Sequence, residues 1–185
     1  MRKALEPFST STSGTAAVEF AILSSVFFML LLGHFQIGYS LYLQHRLDDA
    51  TTIAARALQL GSVQRSDANT ADKFKSSYLC PRLGTLFDCA RVIADSRILP
   101  AANASFDGDL WARTPVASQA QTPYCVGSAG EYMFLRISYP SQSLLGTILP
   151  ASMFTSFDGK PVTMLQSFAA LRIEPVDARR TGACT

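Results

Sequence analysis

From Phe20 to Gln44 the chain carries no formal charge, with His34 neutral, and its centre is the nearly continuous apolar run Phe20-Ala-Ile-Leu-Ser-Ser-Val-Phe-Phe-Met-Leu-Leu-Leu-Gly33. A membrane-spanning helix needs roughly 20 mostly apolar residues, and Thr15 to Tyr39 supplies them. The pattern then changes character without stopping. Leu43, Leu47, Ala50, Ala54 and Ala57 or Leu58 recur at spacings of three and four, the stripe of an amphipathic helix. Arg46, Asp49 and Arg56 fall mostly on other faces, and Gly61 supplies a stop. The pattern therefore predicts a transmembrane and amphipathic stalk helix over residues 15–61, preceded by a leader at 1–14. A cleaved signal peptide would show an apolar stretch of about 7–15 residues and a small-x-small site. Gly33-His34-Phe35-Gln36-Ile37 offers no such site.

Residues 62–185 read as an ordinary folded domain. Ser62 to Thr70 is polar and predicts a turn. Ser66 is placed to cap a short helix through Tyr78, with Phe74 and Tyr78 on one face and Pro81 ending it. Three segments predict strands: Leu86 to Leu99, Glu131 to Tyr139, and Val162 to Ile173, whose Ala-Ala-Leu could equally be helical. In the second, Met133, Leu135, Ile137 and Tyr139 alternate with Tyr132, Phe134, Arg136 and Ser138. Asp158-Gly159 is a turn signal before the third. Pro100 to Gly130 predicts a long irregular excursion that Cys125 could tie down. The class expected is α+β, with the long helix covering one face of a small antiparallel sheet. The apolar run Leu144 to Pro150, with Met153 and Phe154, is expected to plug the core, or else to contact another protein or the outer leaflet of the membrane.

Charge adds direction. Lys and Arg number 16 against 14 Asp and Glu, too scattered for nucleic acid. Arg2 and Lys3, partly offset by Glu6, precede the apolar helix, whereas Arg46, Asp48, Asp49 and Arg56 balance. The positive-inside rule then puts the N-terminus in the cytoplasm. Cys80, Cys89, Cys125 and Cys184 all follow the apolar segment, as suits disulfides in an oxidising compartment; three pairings are open. His34 and His45 both lie in the helix, so residues 62–185 cannot build a Ser-His-Asp or Cys-His triad, or a His-containing zinc site. Asp107-Gly108-Asp109 lacks the other ligands of a calcium loop. No cofactor, metal or catalytic activity is expected.

Glu19 is the anomaly, a carboxylate at the start of an apolar helix, where insertion scales price it at about 3 kcal/mol. Gly14-Thr15-Ala16-Ala17-Val18-Glu19-Phe20, opening a long apolar helix, resembles the processing site of type IV pilins and pseudopilins. With Gly33 to Tyr39 and Ala54-Ala55-Arg56, it is similar to the TadE/TadG-like minor pseudopilins of the tight-adherence (Flp) pilus machinery. Tyr132 to Pro140 and Leu171-Arg172-Ile173-Glu174-Pro175 resemble that family's central and closing strands, although the family usually carries Asn where Ile173 stands. The resemblance implies a pilin-like fold, a single-pass inner-membrane protein and a periplasmic C-terminal domain. It implies possible cleavage by a prepilin peptidase between Gly14 and Thr15. Glu19, followed by Phe20, would then pair with the new Thr15 amine of a neighbouring subunit. Partners would be the membrane, other pilus subunits and assembly-platform proteins. The competing reading is a signal-anchored periplasmic enzyme or binding module, which the missing catalytic constellation disfavours.

Overall fold

The structure, a computed structural model, describes residues 12–99, 122–142, 150, 152, 154–157, 159–175 and 181–182. The chain divides into two compact units, Met1–Tyr39 and Ser40–Thr185, and helix α1 (Thr12–Gln59) contributes to both. No proline interrupts α1. Gly61 ends it in the left-handed region at φ 68, and its N–H donates to the Leu58 carbonyl at 3.1 Å. Glu174 N–H donates to the Gln59 carbonyl at 2.8 Å, satisfying one of the last-turn acceptors that a helix leaves open.

After the single turn α2 (Ser62–Arg65) the chain re-enters helix as α3 (Ala71–Phe74), a π turn at Lys75–Leu79, and α4 (Cys80–Leu83). This corrects the sequence expectation at both ends. The cap is Thr70, whose hydroxyl accepts from Lys73 N–H at 3.4 Å. Ser66 instead donates to the Val63 carbonyl at 2.8 Å, closing the preceding turn. Pro81 does not end the helix. It follows the π turn, where Cys80 N–H already reaches back to the Lys75 carbonyl, so its missing donor falls where the regular ladder is interrupted.

The main sheet has the order β1-β3-β5-β4, antiparallel throughout: β1 (Ile93–Leu99), β3 (Tyr132–Gln142), β5 (Lys160–Arg172) and β4 (Thr155–Phe157). β2 (Cys125–Val126) pairs separately with β6 (Thr181–Gly182). Phe157 pairs with Lys160 across a two-residue turn whose Gly159 has φ 71. Residues 162–172 are strand rather than helix, because Met164 to Arg172 pair continuously with Pro140 to Tyr132. The first strand starts later than its alternation suggested. Gly84–Leu86 and Cys89–Arg91 are 3-10 turns, and Asp88 accepts from Ala90 N–H at 3.1 Å. The Cys80–Cys89 disulfide, with Cα atoms 5.8 Å apart, closes this stretch and prevents extension. Cys125 is also disulfide-bonded. Cys184, Asp107 to Asp109, and the Leu144 to Leu149 run with Met153 lie outside the described residues.

Burial follows the two periodicities. Leu43, Leu47, Ala50, Ala54 and Leu58 of α1 share one core cluster with Met133, Leu135, Ile137 and Tyr139 of β3. Helix and sheet thus cover each other's apolar faces within the second unit. The other face of β3 is also buried, at Phe134, Arg136 and Ser138. There Arg136 forms a buried ion pair with its cross-strand partner Asp95, and Arg97 Nε donates to the same carboxylate at 3.2 Å. Ile173 is core. A Cβ on Gly127 would stand 2.6 Å from Ile173 Cδ1 and 3.1 Å from Met133 Cε, so a larger residue there would have to displace these two buried side-chain ends.

Candidate functional site

The first half of α1 is built from residues that favour a helix yet find no protein to bury them. Phe20 is 73% exposed and Leu23 71%, and Val26 to Leu32 are exposed on every side. A helix apolar all round belongs inside a large core or a membrane. The helix is long and apolar enough to cross a membrane.

Polar groups along this half are mostly satisfied by the helix itself. Ser24 Oγ donates to the Ala21 carbonyl at 3.1 Å and Ser25 Oγ to the Ile22 carbonyl at 2.8 Å. His34 Nδ1 lies 2.8 Å from the Leu30 carbonyl, which can only accept, so Nδ1 carries the proton in that bond. Such back-bonding lowers the cost of polar side chains in lipid. Glu19 cannot use it. An ionised carboxylate only accepts, and the helix's own surplus groups beyond its first turn are carbonyls. Among the described residues Glu19 has no ion-pair partner, and it is exposed together with Gly14, Thr15 and Phe20 in the opening turns of α1. The four residues singled out at this end therefore lie together.

The second unit gathers other stretches noticed separately in the sequence. Ala55 and Arg56 of α1 line a cleft of about 450 Å³ with Ala169, Ala170, Leu171 and Glu174. Two segments more than a hundred residues apart thus form one wall-and-floor arrangement. Sequence reading missed the aromatic cluster that braces the helix-sheet corner. The Phe74 ring lies 5.8 Å from Tyr78 and 5.4 Å from Tyr124. Tyr124 hydroxyl donates to the Ala68 carbonyl at 3.3 Å, and burial, with Tyr78 beside it, pushes its phenol well above the usual value. The i,i+4 spacing of Phe74 and Tyr78 was the available signal; Tyr124 gave none. Among the described residues, no group of three or more His, Cys, Asp or Glu side chains could hold a metal ion.

Residues 14–56 match the family model described as TadE-like protein, so this segment is similar to that family. Comparison with curated proteins and with solved structures gives no match.

Proposed function

Taking the TadE-like character of residues 14–56 as premise, we propose that this protein is a minor pseudopilin that assists initiation or assembly of a Flp-type pilus. Its role is structural rather than catalytic. The observation that carries this reading is Glu19, a carboxylate that its own helix cannot satisfy at the head of an exposed apolar surface. In lipid such a group calls for a cation. Cleavage by a prepilin peptidase after Gly14 would create one at the Thr15 amine of an adjacent subunit. Gly33 and Gly38 support lateral packing: a Cβ at either would meet nothing within 4 Å in this chain, whereas small residues let transmembrane helices approach closely. The chain would be single-pass in the bacterial inner membrane, with residues 1–14 cytoplasmic and 62–185 periplasmic.

Glu19→Ala tests the pairing. The second unit should unfold as before, while piliation and co-isolation with other pilus subunits are lost. N-terminal sequencing of the membrane-extracted protein should find Thr15 first. Normal piliation by the Glu19→Ala chain would contradict the pairing.

A further inference from the structure

The two edges of the main sheet are treated differently. Beside β1 the chain covers its own edge. Ser96 N–H donates to the Pro123 carbonyl at 3.0 Å, and the Ser96 hydroxyl donates to the Cys125 carbonyl and accepts from its N–H, both at 2.7 Å. On the other side, β4 pairs with Lys160 to Val162 and β5 runs on past it to Arg172. In an antiparallel ladder, alternate residues aim their backbone groups at opposite neighbours. Ile173 N–H donates to the Glu131 carbonyl, and Pro140, which has no N–H, stands opposite Met164. Odd-numbered residues of β5 therefore bond β3, and even-numbered ones face the edge.

Helix α1 meets that edge at two points. Gln44 Nε2 donates to the Gln166 carbonyl at 2.9 Å, and the Gln59 carbonyl accepts from Glu174 N–H at 2.8 Å. Between these points, the N–H and carbonyl of Ala170 and of Arg172 have no hydrogen-bond partner on the edge side among the described residues. Ala170 lines the cleft of about 450 Å³, and Thr52, Ala55, Arg56 and Gln59 of α1 form the opposite wall. Leu60 is 40% exposed there, beside Leu171. A free strand edge facing a helix can take an extended chain as a further strand, with backbone bonds for affinity and alternate side chains for specificity. Two charges line the cleft, Arg56 and Glu174, and neither has an ion-pair partner among the described residues. The neighbouring charges stand apart from it. Asp48 and Asp49 lie about two turns back along α1, with Asp48 accepting from Gln44. Arg65 donates to the Leu60 carbonyl, and Arg172 to the Gly130 carbonyl. An entering carboxylate therefore finds its cation in Arg56.

We propose that the β5 edge at Ala170–Arg172 takes an extended segment of another polypeptide as an added antiparallel strand. One aliphatic side chain of that segment packs against Ala55, Leu60 and Leu171, and one acidic side chain meets Arg56. The segment's N–H and carbonyl groups pair with those of Ala170 and Arg172. A second copy of this chain is the weaker occupant, because the β1 edge it could offer is already taken by Pro123 and Cys125. Every residue of the site belongs to the second unit, Ser40–Thr185, so the docking stands whether or not α1 crosses a membrane.

The test follows amide exchange of the full chain in detergent micelles, with the peptide acetyl-Thr-Val-Asp-Val-Thr-amide added at millimolar concentration as the probe. Exchange at Ala170 and Arg172 should slow about tenfold, while Ala169 and Leu171, already bonded to β3, keep their rates. The same peptide N-methylated at every residue should have no effect. Replacing its Asp by Asn should weaken the slowing several-fold, and Arg56→Gln should abolish that difference between the two peptides. Ala170→Pro removes the edge N–H and leaves the β3 ladder its bonds; that chain should keep its near-ultraviolet circular dichroism and lose the response. Unchanged exchange at Ala170 and Arg172 in the unsubstituted chain overturns the proposal, as does equal slowing by the N-methylated peptide. Slowing that follows the concentration of the chain itself, without peptide, would give the edge to a second copy and overturn the choice of partner.

Discussion

Leu30 and Leu47 sit in the same helix, yet Leu30 is 59% exposed and Leu47 fully buried. Around Leu30 the apolar residues go all the way round; around Leu47 they form a stripe, with Gln44, Arg46, Asp48 and Asp49 between. The two halves show that apolar content decides how much surface must leave water, and its angular distribution decides what receives it. A stripe can be covered by one sheet; a full cylinder needs a solvent of its own kind. The change occurs near Tyr39, where the chain divides into its two units.

The largest break in this contrast should come from one substitution made in each half. Leu47→Ala removes a fully buried side chain and should cost the second unit about 2–5 kcal/mol. Leu30→Ala should change its stability by less than about 0.5 kcal/mol. Denaturant unfolding of the full chain in detergent, followed by near-ultraviolet circular dichroism, measures both. Equal effects would mean that the halves share one core.

Replacing Cys80 and Cys89 together by Ser should cost about 2–3 kcal/mol for so short a closed loop. That loss belongs to the second unit and should leave helicity of the first unchanged, as backbone exchange can check.

The smallest effect is pH-dependent. Tyr124 is held neutral in the fold by burial, whereas in the unfolded chain it ionises near its ordinary 10.0. Its stabilising share is therefore fully present below pH 10 and lost as pH rises beyond it. Tyr124→Phe should cost about 0.5–1.5 kcal/mol at neutral pH through the lost bond to Ala68, and should flatten the decline above pH 10. Thermal melts from pH 8 to 11 would show it.

Much of this was legible because it depends on local periodicity. The stripe from Leu43 to Leu58 and the alternation Met133 to Tyr139 are the residues that meet in the core. What escaped depends on partners distant in sequence. Asp95 and Arg136 read as ordinary strand polars until the register sets them opposite each other. The two-residue strands β2 and β6 are too short to show an alternation. Val92 continues the strand's alternation but precedes it, because the disulfide shapes residues 80–91. The same division holds for function. Glu19 is conspicuous from its neighbours alone, whereas the bond from the Arg46 guanidinium to the Arg82 carbonyl, 36 residues away, shows only in the folded chain.

Alkaline carbonate extraction of native membranes carrying the full chain addresses the role of the apolar half most directly. Residues 15–39 crossing the bilayer predict that the chain stays in the membrane pellet. Recovery of the intact chain, helix included, in the carbonate supernatant would contradict it.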